Sequence, residues 1–346
     1  MNVVNRFSTK ATTLINICLW HTYSRQRPKR NIKKISTEEQ SSTSGPVFEV
    51  RGDCYVQAAS GYVICDGHII WDSMQLTRNA KSNISQLDVP SFLDYRQVRH
   101  NSSGCIHVDE LLHCRHFYEW NYFHFFMDVL PKVAVFESAG VPMDIPLLMG
   151  NSVRQLSFAS ETLQETGFNK YNWLIQDSTF IRSQCVRFSR VSSNYKRRTE
   201  SNTKQFPKAA TDVGNDRIYL TRGKCTGRRV KNEREIVEVV ESFGFRVVDT
   251  NGLHILEQAE LFRNARCVVA PHGAGLTNIQ FREQRPLSLL ELNPYHPTTD
   301  FQRICNQYGH YWSSIRGKAD GNDIQHVDYW TDPLELKHKV ENLLLT

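Results

Sequence analysis

The sequence predicts an α/β chain with two domains, the second of them a Rossmann-like unit, and three observations carry that expectation. From Arg217 onward, short β-branched runs alternate with longer amphipathic stretches, the pattern of parallel βαβ units. One of those runs, Cys267 to Ala270, breaks at Pro271 into His272-Gly273-Ala274-Gly275 before a helix-like segment begins at Leu276. Strand, small-residue turn and helix together aim backbone N–H groups and a helix dipole at an anion. Finally, 346 residues with 40% hydrophobic and 23% charged content suffice for two cores and read as ordinary globular protein.

The chain begins with a basic stretch. No acidic residue precedes Glu38, whereas Arg6, Lys10, Arg25, Arg27, Lys29, Arg30, Lys33 and Lys34 are cationic and account for much of the net charge of +6. Residues 1–46, closing in the Ser- and Thr-rich run from Ser36 to Pro46, read as a disordered basic tail and linker. Such a tail can touch anionic lipid, so peripheral membrane association through it stays open; the folded part is near charge balance, and no nucleic-acid partner is expected. The apolar stretch Ala11 to Trp20 contains Thr12, Thr13 and Asn16, and is short of the roughly 20 residues of a membrane span. It also lacks the apolar core and cleavage site of a secretory signal. An organelle transit peptide is compatible with this start, but a cytoplasmic chain is the expectation. Nine cysteines without a C-x-x-C pair suit neither a disulfide framework nor a zinc site. Asn83-Ile84-Ser85 and Asn101-Ser102-Ser103 match the glycosylation sequon, a pattern that arises often by chance.

Residues 47–205 form the expected first domain. Short apolar runs separated by Gly, Asp and Asn make 47–108 β-rich, and helical character runs from about Trp120 to Ser138. The polar stretch Asn194 to Gly214 reads as an interdomain linker. In the second domain, 206–331, Arg217–Thr221 is a strand. Asn232 and Glu235 then form a capping box for a helix with Ile236, Val239, Val240 and Phe243 on one face, ended by Gly244. Phe245–Asp249 is a strand, Ile255–Ala265 a helix, Cys267–Ala270 and Leu287–Leu292 strands, and Phe301–Tyr308 a helix. A last helix at 332–346, capped by Asp332 with Pro333 in its first turn and Glu335 completing the box, carries Leu336, Val340 and Leu343 on one side.

Two groups of residues can do chemistry. Arg222, Lys224 and Arg228, at the end of the Arg217–Thr221 strand, suit phosphate oxygens; a solvated basic loop is the plainer reading. The Gly273–Gly275 turn with His272 at its lip is a second anion feature, or else an ordinary tight connection. Two such features in one α/β unit favour phosphate. In the first domain, Asn121, His124 and Asp128 fall on one helical face. An imidazole beside a carboxylate can serve as a general base, or can pair simply to anchor a buried helix.

These blocks together resemble glycosyltransferase family 61: Asn121-x-x-His124-x-x-x-Asp128-x-x-Pro131, then Ile218-Tyr219-Leu220-Thr221-Arg222 with Arg228-Arg229 and Asn232-Glu233, then Pro271 to Asn278. Their order and spacing cover roughly 115–315. The resemblance implies a GT-B architecture, two Rossmann-like domains facing a central cleft, with the terminal helix crossing back to the first. It implies an inverting, metal-independent transferase moving sugar from a nucleotide sugar, of UDP type, to a hydroxyl of a glycan or polysaccharide, as in bacterial capsular members; no cofactor beyond the donor is expected. In that frame the donor is held by Arg222, Lys224, Arg228, His272, Gly273, Ala274, Gly275, Leu276, Thr277, Asn278 and Glu291, with Asn121 on the acceptor side. Asp128 is the expected base, with His124 as neighbour and substitute; the roles can be exchanged. No D-x-D triplet occurs, which suits a site without metal. A sugar-nucleotide binding protein that lost the chemistry remains a rival. A nicotinamide oxidoreductase ranks lower, because its G-x-G-x-x-G is missing.

Overall fold

The computed structural model describes residues 19–20, 32–35, 45–74, 89–101, 105–207, 214–223, 225, 227–283, 285–294, 298–319 and 327–345. They form two compact units, one of residues up to 163 with 167–192, the other of 164–166 with 193–346.

The first unit is built on a mixed sheet of eight strands: β1 (Lys33–Lys34), β2 (Val47–Gln57), β3 (Val63–Cys65), β4 (His68–Ile70), β5 (Cys105–His113), β6 (Leu147–Gly150), β7 (Trp173–Gln176) and β8 (Phe180–Ser189), in the order β4-β3-β2-β8-β5-β6-β7 with β1 against β2. Strands β8, β5, β6 and β7 are mutually parallel, whereas β1 to β4 add antiparallel hairpins to the other side. The first unit is therefore Rossmann-like only in its parallel half. The expected disordered tail also needs correction. Lys33–Lys34 pairs with Phe48 and Glu49, and Trp20 is buried, its Nε1 donating to the Pro90 carbonyl at 2.6 Å. Trp20 packs edge-on to Phe92 of a helix, Phe92–Asn101, that the sequence left within the β-rich segment. The rest of the tail and the 36–44 linker lie outside the described residues.

The second unit is a doubly wound sheet of five parallel strands: β9 (Asp216–Leu220), β10 (Arg246–Val248), β11 (Ala265–Pro271), β12 (Ser288–Asn293) and β13 (Tyr311–Arg316), ordered β10-β9-β11-β12-β13. A short antiparallel pair, β14 (Lys318–Ala319) and β15 (Tyr329–Trp330), stands beside it. Helices Glu233–Ser242, Ile255–Asn264 and Asp300–Tyr308 occur where the periodicity placed them. The expected linker does not: Asn194 caps a helix, Tyr195–Thr203, by accepting from the Arg197 N–H, and Tyr195 Oη donates to Asp300 at 2.6 Å. Its polar sequence hid a helix whose few aromatic anchors hold it to the second unit. The Asn232–Glu235 capping box is also replaced. Asn232 instead clamps the chain before the last helix, accepting from the Thr331 N–H and donating to its carbonyl. That last helix, Pro333–Leu344, buries Leu336, Val340 and Leu343 in the core of the second unit beside Ile236, Val240 and Leu290, so its apolar face is satisfied there and not by a crossing to the first.

His310, buried next to β13, fixes an acid limit for this unit. Its Nδ1 accepts from the Leu287 N–H at 3.2 Å, so Nε2 carries the proton and donates to the Ile279 carbonyl at 3.2 Å. Burial pulls its pKa down to about 4. The unfolded chain takes up this proton near its ordinary value of about 6.5, so stability is complete above that pH and is lost as pH falls through about 4, by roughly 3 kcal/mol. Melting curves between pH 7 and 4 should show this decline, and His310→Gln should flatten it.

Candidate active site

Each unit carries one cluster of functional side chains. In the second, the strand order reverses between β9 and β11: the chain leaves β9 for β10 on one side and returns to β11 on the other. Connections diverge at such a point and leave a crevice beyond the carboxyl ends of the strands, the usual ligand position in open α/β sheets. β9 ends into Thr221-Arg222, and β11 into His272-Gly273.

The Arg222 guanidinium lies close to Gly273. A Cβ at Gly273 would overlap the Arg222 guanidinium, so a larger residue there would push this side chain from its place. Among the described residues, Arg222 Nη2 reaches only the Gly227 carbonyl, at 3.5 Å, and its Nε is buried without a partner. Arg228 sits beside it in the left-handed region, φ 56°, which a side chain adopts at a cost. Burial, and after it the Arg222 charge, pushes the Arg228 pKa down; the other groups acting on it, Tyr329 and Cys225, include no carboxylate. Among the described residues, these two guanidinium groups thus share one region without an acidic partner. Arg229 differs, since Asp328 holds it at 2.7 Å. Lys224 lies outside the described residues.

The turn after β11 continues as a 3-10 helix, Ala274–Phe281, rather than an α-helix. Ala274 and Gly275 are partly exposed, but Leu276, Thr277 and Asn278 are fully buried. Asn278 Nδ2 donates to Gln258 Oε1 at 3.0 Å, tying the turn to the helix Ile255–Asn264. These three residues, expected on a donor, shape the turn from behind. Glu291 is neither an exposed strand end nor a group held out to a ligand. It is buried, with Oε1 at 2.5 Å from His272 Nδ1 and Oε2 accepting from Trp312 Nε1 at 2.8 Å. Its visible role is to hold His272, itself buried beside Phe301.

In the first unit, β5 runs into Cys114-Arg115-His116, and a loop leads to Asn121. Asn121 does not line the helix face: its Oδ1 accepts from the Phe123 N–H at 2.9 Å and caps the helix. Tyr122–His124 is α-helical, Phe125–Val129 a π-helical turn, and Leu130–Ser138 α-helical again. The wide turn falls just before Pro131, which has no N–H and whose ring crowds the carbonyl one turn back in a regular helix. Phe125, Phe126, Met127 and Val129 are buried, and they fix the orientation of the two polar residues among them. His124 Nδ1 stands 2.7 Å from Asp128 Oδ2, with Asp128 buried and His124 part-exposed.

His116 completes the cluster. Its ring stacks on His124 with centroids 4.6 Å apart, and its Nε2 is 3.8 Å from Asp128 Oδ2. Sequence periodicity missed it because it belongs to a loop, although a histidine just past a strand end was a usable signal. Below the cluster, Arg115 pairs with Glu119 at 2.9 Å, and Lys132 Nζ donates to the Arg115 carbonyl at 2.6 Å. Burial holds the Lys132 pKa below the usual lysine range.

Ligand atoms of His116, His124 and Asp128 lie within 4.8 Å of one another, close enough to consider a metal. Hydrogen bonding assigns the protons of the two rings. The Tyr118 N–H can only donate, and it donates to His116 Nδ1 at 3.2 Å. The His116 proton is therefore on Nε2, the nitrogen facing Asp128, which makes it a donor and not a lone-pair ligand. Asp128 accepts the Nδ1–H of His124 at 2.7 Å, while the His116 Nε2–H faces it from 3.8 Å. With Nδ1–H of His124 committed to Asp128, Nε2 of His124 is the nitrogen left with a lone pair.

The glycosyltransferase 61 family model matches residues 122–287, from the helix bearing His124 and Asp128 through the Gly273–Gly275 turn. This match supports membership of glycosyltransferase family 61, whose members transfer a sugar from a donor to an acceptor. Comparison with curated proteins gave no match. No helix among the described residues is long and apolar enough to cross a membrane.

Proposed function

We propose that this glycosyltransferase is inverting and metal-independent, taking a sugar from a UDP-linked donor to a hydroxyl of a glycan. The observation that carries the reading is the Arg222–Arg228 couple against Gly273, without an acidic partner among the described residues, at the point where the strand order of the second unit reverses. A diphosphate between these guanidinium groups and the Gly273–Gly275 backbone would supply the missing acceptors, and charge developing on the leaving group would be stabilised there. The nearby carboxylates are engaged elsewhere: Glu291 as above, and Glu233 by Tyr219 and Thr221 hydroxyls at 3.1 and 2.8 Å.

Direct displacement at the anomeric carbon also needs a base for the acceptor hydroxyl. The reading favours His124, with Asp128 holding its Nδ1–H, over Asp128 itself. A carboxylate that already receives an imidazole N–H at 2.7 Å is poorly placed to take a further proton, whereas the opposite ring nitrogen is suited to it.

The test is a panel of nucleotide sugars, read by thermal shift and by nucleoside diphosphate release with a glycan acceptor in EDTA. A UDP-sugar should raise the melting temperature by mass action and turn over without added metal. Activity that only magnesium or manganese restores would refute metal independence, and binding without turnover would leave a carrier protein.

A further inference from the structure

We propose that Cys54 and Cys65 are a disulfide site: a cross-strand staple between β2 and β3, closed when the chain meets a disulfide oxidant such as oxidised glutathione. The two cysteines are direct partners in the antiparallel ladder. The Gln57 N–H donates to the Tyr62 carbonyl at 3.3 Å, and the Asp66 N–H to the Asp53 carbonyl at 3.1 Å. Pairs 57/62 and 53/66 are thus hydrogen-bonded, and strict alternation makes Cys54/Cys65 a non-hydrogen-bonded pair. In such a pair the Cα atoms are about 4.5 Å apart and the side chains converge, inside the span a disulfide needs.

Local backbone supports the approach. The β2–β8 register shifts between Arg51 and Cys54, and Gly52 in that bulge has φ 146°. A Cβ there would come 3.0 Å from Cys65 Sγ, so the glycine lets the bulged strand close over this thiol. Both cysteines are thiols here, fully buried in one apolar cluster with Val56, Val63 and Ile70. Both thiols have only long contacts to lose: Cys54 Sγ is 3.9 Å from the Val50 carbonyl, and Cys65 Sγ is 3.6 Å from that of Arg51 and 3.9 Å from Asp66 Oδ2.

In the exchange, one thiolate attacks a sulfur of the oxidant's disulfide and releases one thiol. The second thiolate displaces the remaining oxidant thiol as the Cys54–Cys65 bond forms; two electrons pass to the oxidant, and both cysteine protons end on its thiols. The Cys65 hydrogen bond, and then burial, push the Cys54 thiol up, which keeps the folded pair slow to react. The staple therefore closes while the hairpin is still open, during folding. A pair that closes and persists belongs to an oxidising compartment, in place of the cytoplasmic setting that the scattered cysteines suggest.

The experiment is refolding of the reduced, full-length chain with oxidised glutathione, followed by denaturing alkylation and peptide mass mapping. The expected product is a Cys54–Cys65 linked peptide, two hydrogens lighter than its separate thiol peptides. The oxidised protein should melt several degrees above the reduced one, with no redox-dependent shift in Cys65→Ala. Alkylation of both cysteines after oxidative refolding would overturn the proposal, as would linkage of either to Cys185 on the neighbouring β8.

Discussion

His124→Ala should lower sugar-transfer turnover by about 10²- to 10⁴-fold, with donor affinity unchanged in calorimetry. The ring nitrogen opposite Asp128 is the one group of the His116–His124–Asp128 cluster that hydrogen bonding leaves ready to accept a proton. The proposed diphosphate contacts belong to the second unit, so donor binding should not register the change. Asp128→Asn is expected to cost at least about 10²-fold as well, for a different reason. An amide can turn its NH₂ toward Nδ1, which moves the histidine proton to Nε2 and blocks the base. If both variants fold, bind donor and turn over normally, the pair is a structural anchor of the π turn and the proton acceptor is elsewhere.

Arg222→Ala should weaken binding of uridine diphosphate by about 1.5–3 kcal/mol, roughly 10- to 150-fold. This is the range for a charged hydrogen bond, and the guanidinium has no comparable partner among the described residues. The free protein should lose little stability, since the substitution removes a buried Nε that nothing satisfies. Arg222→Lys should restore only part of the affinity, because an ammonium is a point charge that cannot reproduce the planar fork. Arg229→Ala is the control: its side chain is committed to Asp328, and affinity should stay within about twofold. Unchanged affinity in Arg222→Ala would displace the diphosphate from the β9–β11 crevice.

Where the sequence carried a period, it was readable. The four strands and three helices expected between Arg217 and Tyr308 all form, because the helices each bury one apolar face and the apolar runs of β11 and β12 are buried almost throughout. What it hid was non-periodic. The helix Tyr195–Thr203 has a polar sequence, and tertiary contacts through Tyr195 hold it. The cap at Asn232 was overridden by a long-range clamp on Thr331 that no local rule contains. In the sites, His124 with Asp128 and Arg222 with Gly273 were legible as spacing and as motif. The burial of Glu291, Thr277 and Asn278 was not, since a strand end and a turn look alike from either side of a sheet. His116 escaped because a loop residue gains its meaning only when β5 and the π turn are in place.

The assignment of His124 as base, oriented by Asp128, is tested most directly by chemical rescue. Turnover of His124→Ala and Asp128→Asn would be measured against rising imidazole concentration at saturating donor. The account predicts that imidazole restores turnover to His124→Ala with saturation, by filling the vacated ring position beside Asp128, and leaves Asp128→Asn unrescued. A folded, donor-binding His124→Ala that imidazole cannot rescue, or one as active as the parent chain, would contradict it.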